Sequence, residues 1–158
     1  MAPSGSASGD VIDFRIDDSV MQYYVRPIEL DGIDHDEDMD LDITFRDGVG
    51  ATDSVTMNFT IDGSRILKRI DTMTIVAGGQ SVPSTSIRLL FNEADGEDVR
   101  SRFSAIFRRR DFYNLIQTPE WIVSIVSNNE VRRYEASGSA VSRLQRVDQS
   151  LIRILRAP

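Results

Sequence analysis

The sequence contains no cysteine, one histidine (His35), one lysine (Lys68) and one tryptophan (Trp121). The missing thiols exclude disulfides, cysteine-ligated zinc, iron–sulfur clusters and a thiol nucleophile. A lone imidazole leaves a zinc ion only carboxylates for its remaining ligands. A Ser–His–Asp constellation is a matter of geometry and cannot be read from adjacency in the chain, so His35 reads as an exposed loop residue. No run approaches the roughly 18–20 apolar residues that cross a bilayer as a helix. The longest, Ile122-Val123 and Ile125-Val126, are short and interrupted, so no membrane span is predicted. Phosphate-binding and nucleophile-elbow motifs are missing as well: G-x-x-x-x-G-K-[ST], G-x-G-x-x-G and G-x-S-x-G do not occur.

What is present fits one domain. A chain of 158 residues is close to the usual domain size and long enough to bury a core without staples. Residues 1–9, Met-Ala-Pro-Ser-Gly-Ser-Ala-Ser-Gly, read as a flexible leader without the features of a signal peptide. Residues 10–158 read as a single globular domain.

Charge is unevenly placed. Residues 1–63 carry 15 Asp/Glu against 3 Arg, whereas residues 64–158 carry 10 Asp/Glu against 15 Lys/Arg. Such a split either neutralises itself inside one fold or makes a two-faced molecule that assembles head-to-tail. Folding usually mixes the signs, which favours the first outcome.

Hydrophobic periodicity predicts many strands. Ile12, Phe14 and Ile16 alternate with polar residues, which predicts a strand with one wet face. Residues 21–30 form another, and Pro27, which has no N–H to donate, places an edge or a bulge there. The clearest alternations are Met39, Leu41, Ile43, Phe45 and Val55, Met57, Phe59, Ile61. Asp62-Gly63 predicts a hairpin turn into a strand starting near Ile66. Residues 71–76 and 87–91 are strand-like, with a loop over 77–86. Residues 99–107 fit either a strand or a helix, and the Asp95-Gly96 turn before them favours the strand. Residues 121–126 and 131–136 complete the set. A short helix near 111–117, with Asp111 as N-cap, must end before Pro119. Ala140, Leu144, Val147 and Leu151 at helical spacing predict a C-terminal helix near 139–155. The expected fold is α+β and mainly antiparallel: a sandwich-like sheet of about eight to ten short strands with these two helices.

Three groups of residues are candidates for function. Asp34, Asp36 and Asp38 have the spacing that opens an EF-hand loop, but Met39 stands where its glycine belongs and Phe45 where its glutamate belongs. They are therefore candidates for an irregular Ca²⁺ site, and no other cofactor is expected. Arg108-Arg109-Arg110 is the one basic run. The isoelectric point near 4.7 argues against nucleic acid, so this run points to a protein partner or to self-association. Tyr23 and Tyr24 face opposite sides of one strand, so one of them is expected at the surface or under a partner. No catalytic set is singled out. The expected function is a non-enzymatic structural or protein-interaction module, in an exported or surface setting or as a subunit of a larger assembly. The alternatives are a hydrolase with a carboxylate site near the acidic loop, which requires at least two of Asp34, Asp36, Asp38 and Asp42 to converge in a cleft, and a Ca²⁺-stabilised adhesion domain.

Overall fold

A computed structural model describes residues 5–156. Among them the strands are β1 (Gly5–Ser8), β2 (Val11–Arg15), β3 (Val20–Ile33), β4 (Met39–Gly48), β5 (Ser54–Gly63), β6 (Thr72–Ala77), β7 (Gln80–Pro83), β8 (Ser86–Asp95), β9 (Asp98–Arg108), β10 (Ile122–Ser127) and β11 (Glu130–Glu135). The helices are α1 (Arg109–Ile116) and α2 (Ser139–Arg156). The fold is α+β and mainly antiparallel, as expected. The stretch expected as a leader is described from Gly5, which begins a strand paired with β2; residues 1–4 lie outside the described residues.

The expected sandwich-like sheet is one curled path in the order β7-β6-β10-β11-β3-β4-β5-β9-β8. Two long segments make it curl. β3 pairs with β4 along most of its length and with β11 through Asp31–Ile33. Its register shifts between Val25 and Ile28, around Pro27, as the missing N–H predicts. On the edge where β11 pairs, the earlier part of β3 pairs with β2, so the sheet forks there. The carboxylate of Asp10 accepts from Arg143 and Arg146 of α2 at 3.0 and 2.8 Å, and Arg143 also donates to the Pro27 carbonyl. These bonds close the fork. The second long segment is β7–β8, two strands separated only by Ser84 and Thr85. The Ser84 N–H bonds to the Met73 carbonyl on one side and the Thr85 N–H to the Ile106 carbonyl on the other. The two ends of the path are thus consecutive in the chain, and strands that bend from one partner to another are how sheets turn corners.

The side chains of the inner face form one core. Leu41, Ile43, Met57, Phe59, Phe103, Ala105, Met73, Ile75, Val123, Ile125 and Trp121 are all fully enclosed. Trp121 satisfies its indole by donating to the Leu115 carbonyl at 2.9 Å, as a buried Trp N–H requires. Helix α1 presses Phe112, Leu115 and Ile116 into this core. Helix α2 contributes Ala140, Leu144, Val147 and Leu151, while the side chains of Ile154 and Leu155 lie outside the described residues. No helix among the described residues is long and apolar enough to cross a membrane.

One open local expectation is settled and several change. Residues 99–107 are a strand, with Phe103, Ala105 and Phe107 buried in alternation. Asp62-Gly63 does not turn a hairpin: β5 pairs with β4 and β9, and residues 64–71 cross to β6 as a loop anchored by Leu67 and Ile70. Gly78-Gly79, by contrast, lies within the expected loop and makes a two-residue hairpin turn between Ala77 and Gln80, with φ values of +57° and +79°. Only glycine adopts such angles freely at both positions. In β2 it is Val11 that enters the core; Ile12 lies opposite Tyr24 on the outer face. The N-cap of α1 is Arg108 rather than Asp111, which lies in the first turn.

Candidate functional site

The acidic loop, Asp31 to Asp38, lies where β3 hands over from β4 to β11, and its anchor is Glu37. Glu37 forms an ion pair with Arg132 of β11, and the Arg132 side chain is only 8% exposed. Room for the carboxylate comes from glycine. A Cβ on Gly63 would sit 2.5 Å from Glu37 Oε1, and one on Gly32 would sit 2.4 Å from the Glu37 carbonyl oxygen. Gly63, which looked like a turn residue, therefore serves a close approach.

His35 is packed into the same corner. Its Nε2 lies 3.0 Å from the Arg133 carbonyl and its Nδ1 accepts the Glu37 N–H at 3.3 Å. The tautomer protonated on Nε2 satisfies both contacts. The ring stands edge-on to Tyr134, with centroids 4.9 Å apart. Both nitrogens are thus occupied by backbone, which leaves neither poised as a general base. The expected exposed loop histidine is instead a half-buried staple. Tyr134 is enclosed, and its hydroxyl lacks a well-formed hydrogen bond among the described residues. Burial pushes its pKa up to about 12; the Glu37 charge adds to this and the Arg132 charge opposes it. Beside these groups lies an open cavity of about 240 Å³ with Arg65, Glu130 and Arg133 at its rim.

The three aspartates expected to hold Ca²⁺ do not gather together. Asp38 groups with Glu29 and Asp31, whose carboxylate oxygens lie within 4.8 Å of one another. Asp38 also accepts the Gly32 N–H at 3.2 Å. Asp34 is directed to Arg133 at 3.9 Å, and Asp36 belongs to no such group among the described residues. Repulsion from Asp38, then from Asp40, raises the pKa of Glu29. The sequence missed Glu29 because it lies on the neighbouring strand, opposite Asp40. Asp42 is on the outer face of the sheet, where it takes a 2.8 Å bond from Arg102, which also bonds Thr60. Asp34, Asp36, Asp38 and Asp42 therefore do not share one cleft.

Part of the charge asymmetry is relieved inside the fold. Asp10 pairs with Arg143 and Arg146, Glu37 with Arg132, Asp42 with Arg102, Asp47 and Asp53 with Arg109, and Asp62 with Arg100. Each of these pairs joins an acid of the first 63 residues to an arginine beyond them. The basic run is divided by this pairing. Arg109 bonds Asp47 and the Arg46 carbonyl, which leaves Arg108 and Arg110 as its exposed members. Tyr23 is buried and stacked on Phe45 at 5.1 Å, so Tyr24 is the one of the pair that reaches the surface.

One surface feature stands out from this internally satisfied structure. Strand β8 ends the path, pairs on one side with β9, and has no strand on its other side among the described residues. Leu89, Leu90 and Phe91 at its centre are 39–41% exposed. The class of protein defined by this architecture is a curled, mainly antiparallel β domain with two packed helices and one long free edge. No family model, curated protein or solved structure matches the chain.

Proposed function

We propose that this chain is a non-enzymatic protein-interaction module that takes a strand of a partner protein against the free edge of β8. The observation that supports the reading is the edge itself: ten residues long, exposed along nearly its whole length and apolar at its centre. Exposed N–H and C=O groups on such an edge template the pairing of another strand, and apolar side chains beside them add affinity. His35, Glu37 and Asp42 are engaged by intramolecular partners, which leaves them little capacity for acid–base chemistry.

Site-specific photo-crosslinking in the producing cells tests this. A photoreactive residue placed at Phe91 is expected to form protein adducts, and the same residue at exposed Val131 on β11 is not. Equal adducts at both positions, or none at Phe91, would sink the proposal.

A second reading has its own observation. The group Glu29, Asp31 and Asp38 supports a domain stabilised by Ca²⁺ at this corner, since a hard cation favours clustered carboxylate oxygens. It requires a melting temperature that climbs with millimolar Ca²⁺ by mass action and stays flat for Glu29→Gln.

A further inference from the structure

The partner strand that best fits β8 is β8 itself. The reason lies in how the bulge in this strand arranges its side chains. The register of β8 on β9 pairs Arg88 with Ser104 and Leu89 with Phe103, then shifts by one residue at Leu90, so that Phe91 meets Arg102 and Glu93 meets Arg100. In an unbroken strand Arg88 and Glu93, five positions apart, would face opposite sides of the sheet. The extra residue places both on the outer face. Neither makes an ion pair among the described residues, and Arg100, the cation opposite Glu93, is engaged by Asp62 and Asp95.

We infer that two copies of the chain pair antiparallel through β8 about a two-fold axis near Leu90 and Phe91. In that register Arg88 of each copy lies across from Glu93 of the other, on the same face, and the contact occurs twice by symmetry. Leu90 and Phe91 meet at the centre, and Leu89 lies across from Asn92. Opposite charges directly across a strand pair stabilise it, and like charges disfavour it. A foreign strand would have to supply this alternation of basic, apolar and acidic residues, whereas a second copy supplies it by inversion. One strand pair buries less than the roughly 1,200 Å² of a standard stable interface, so the dimer is concentration-dependent and weakens with salt.

This inference rests on the interaction-module reading and goes beyond it by naming the occupant. Its test is sedimentation equilibrium on the full chain from micromolar to millimolar concentration. The expected result is a mass rising from 17.8 kDa towards twice that value. Arg88→Glu and Glu93→Arg, each alone, are expected to remain monomeric at concentrations where the parent dimerises. The two variants mixed should associate again, as should the double exchange in one chain. Both substitutions lie on the surface, and circular dichroism checks that each variant is folded. A parent that stays monomeric throughout, or a dimer indifferent to both substitutions, overturns self-pairing. If crosslinks from Phe91 then still reach another protein, only the occupant is wrong; if they vanish too, the interaction-module reading falls with it.

Discussion

Where β3 meets β11, charge is consumed internally: Glu37 and Arg132 hold each other, and His35 is pinned by two backbone groups. Along β8, Arg88 and Glu93 point outward without ion-pair partners among the described residues, and three large apolar side chains are partly exposed. Both regions mix charged and apolar residues, yet the first is enclosed and the second is open. Enclosure raises the cost of any unpaired charge, because desolvation is no longer relieved by water. At the open edge the same charges cost little and confer selectivity on whatever pairs there. The corner thus serves the fold, while the edge is available to a partner.

Breaking the corner should produce the largest effects. Arg132→Ala leaves Glu37 without its cation and is expected to destabilise the domain by about 3–5 kcal/mol in urea unfolding. Replacing both members, as in Arg132→Met with Glu37→Leu, should cost distinctly less than either single change. Additive losses would mean that the pair is solvated like a surface bridge. Next comes Gly32→Ala, whose new Cβ meets the backbone carbonyl of Glu37 at 2.4 Å. The shift this forces should cost about 1–3 kcal/mol, while Ala at Gly63 meets only the carboxylate end of Glu37 and should cost less.

Tyr134→Phe sharpens the comparison, because it removes a buried hydroxyl that lacks a well-formed hydrogen bond among the described residues. At neutral pH this change is expected to be neutral or stabilising. In alkali the sign is fixed by the raised pKa. The folded state holds its phenol proton up to about pH 12, the unfolded state only to about pH 10. The contribution of Tyr134 to stability is therefore fully present below pH 10 and lost as pH rises from there to 12. The phenylalanine variant should show a correspondingly smaller alkaline loss, measured as melting temperature against pH.

Smaller effects belong to the partly exposed acids. Hydrogen bonding by Arg146 holds Asp10 below its usual 3.8. Its stabilisation is present above that value and disappears as pH falls through the lowered folded pKa. Glu29 has the opposite sign: its raised pKa means that its ionisation near neutral pH disfavours the fold, and Glu29→Gln should raise the melting temperature slightly. The smallest change is expected at β8 itself. Leu89→Thr should alter stability by no more than about 0.5 kcal/mol while weakening association. A large loss of stability there would show that β8 is part of the core after all.

Much of the sheet was legible because a half-buried strand declares itself every second residue. Met39 to Phe45 and Val55 to Ile61 bury the apolar set that the alternation marks. Pro27 marked its bulge for a reason intrinsic to proline. The periodicity of Ile12, Phe14 and Ile16 misled because it reports one apolar face without saying what covers it, and Val11 took the core position instead. Tyr23 and Tyr24 were correctly assigned to opposite faces, though which of them was buried depended on Phe45 across the ladder. The site was less legible still. Asp34, Asp36 and Asp38 look like a ligand set by spacing along the chain, but carboxylates meet through cross-strand distance, and that brought in Glu29 and Asp31.

By itself the sequence determined the class of the fold, the positions of most strands and both helices, and the absence of thiol chemistry. These follow from side-chain type and short-range period, which each segment carries with it. The tertiary structure alone decided that acids of the first half pair with arginines of the second, that Gly63 makes room for Glu37, and that a bulge brings Arg88 and Glu93 to one face of a free edge. Each of those depends on residues far apart in the chain becoming neighbours across a ladder, and a local pattern holds no record of register.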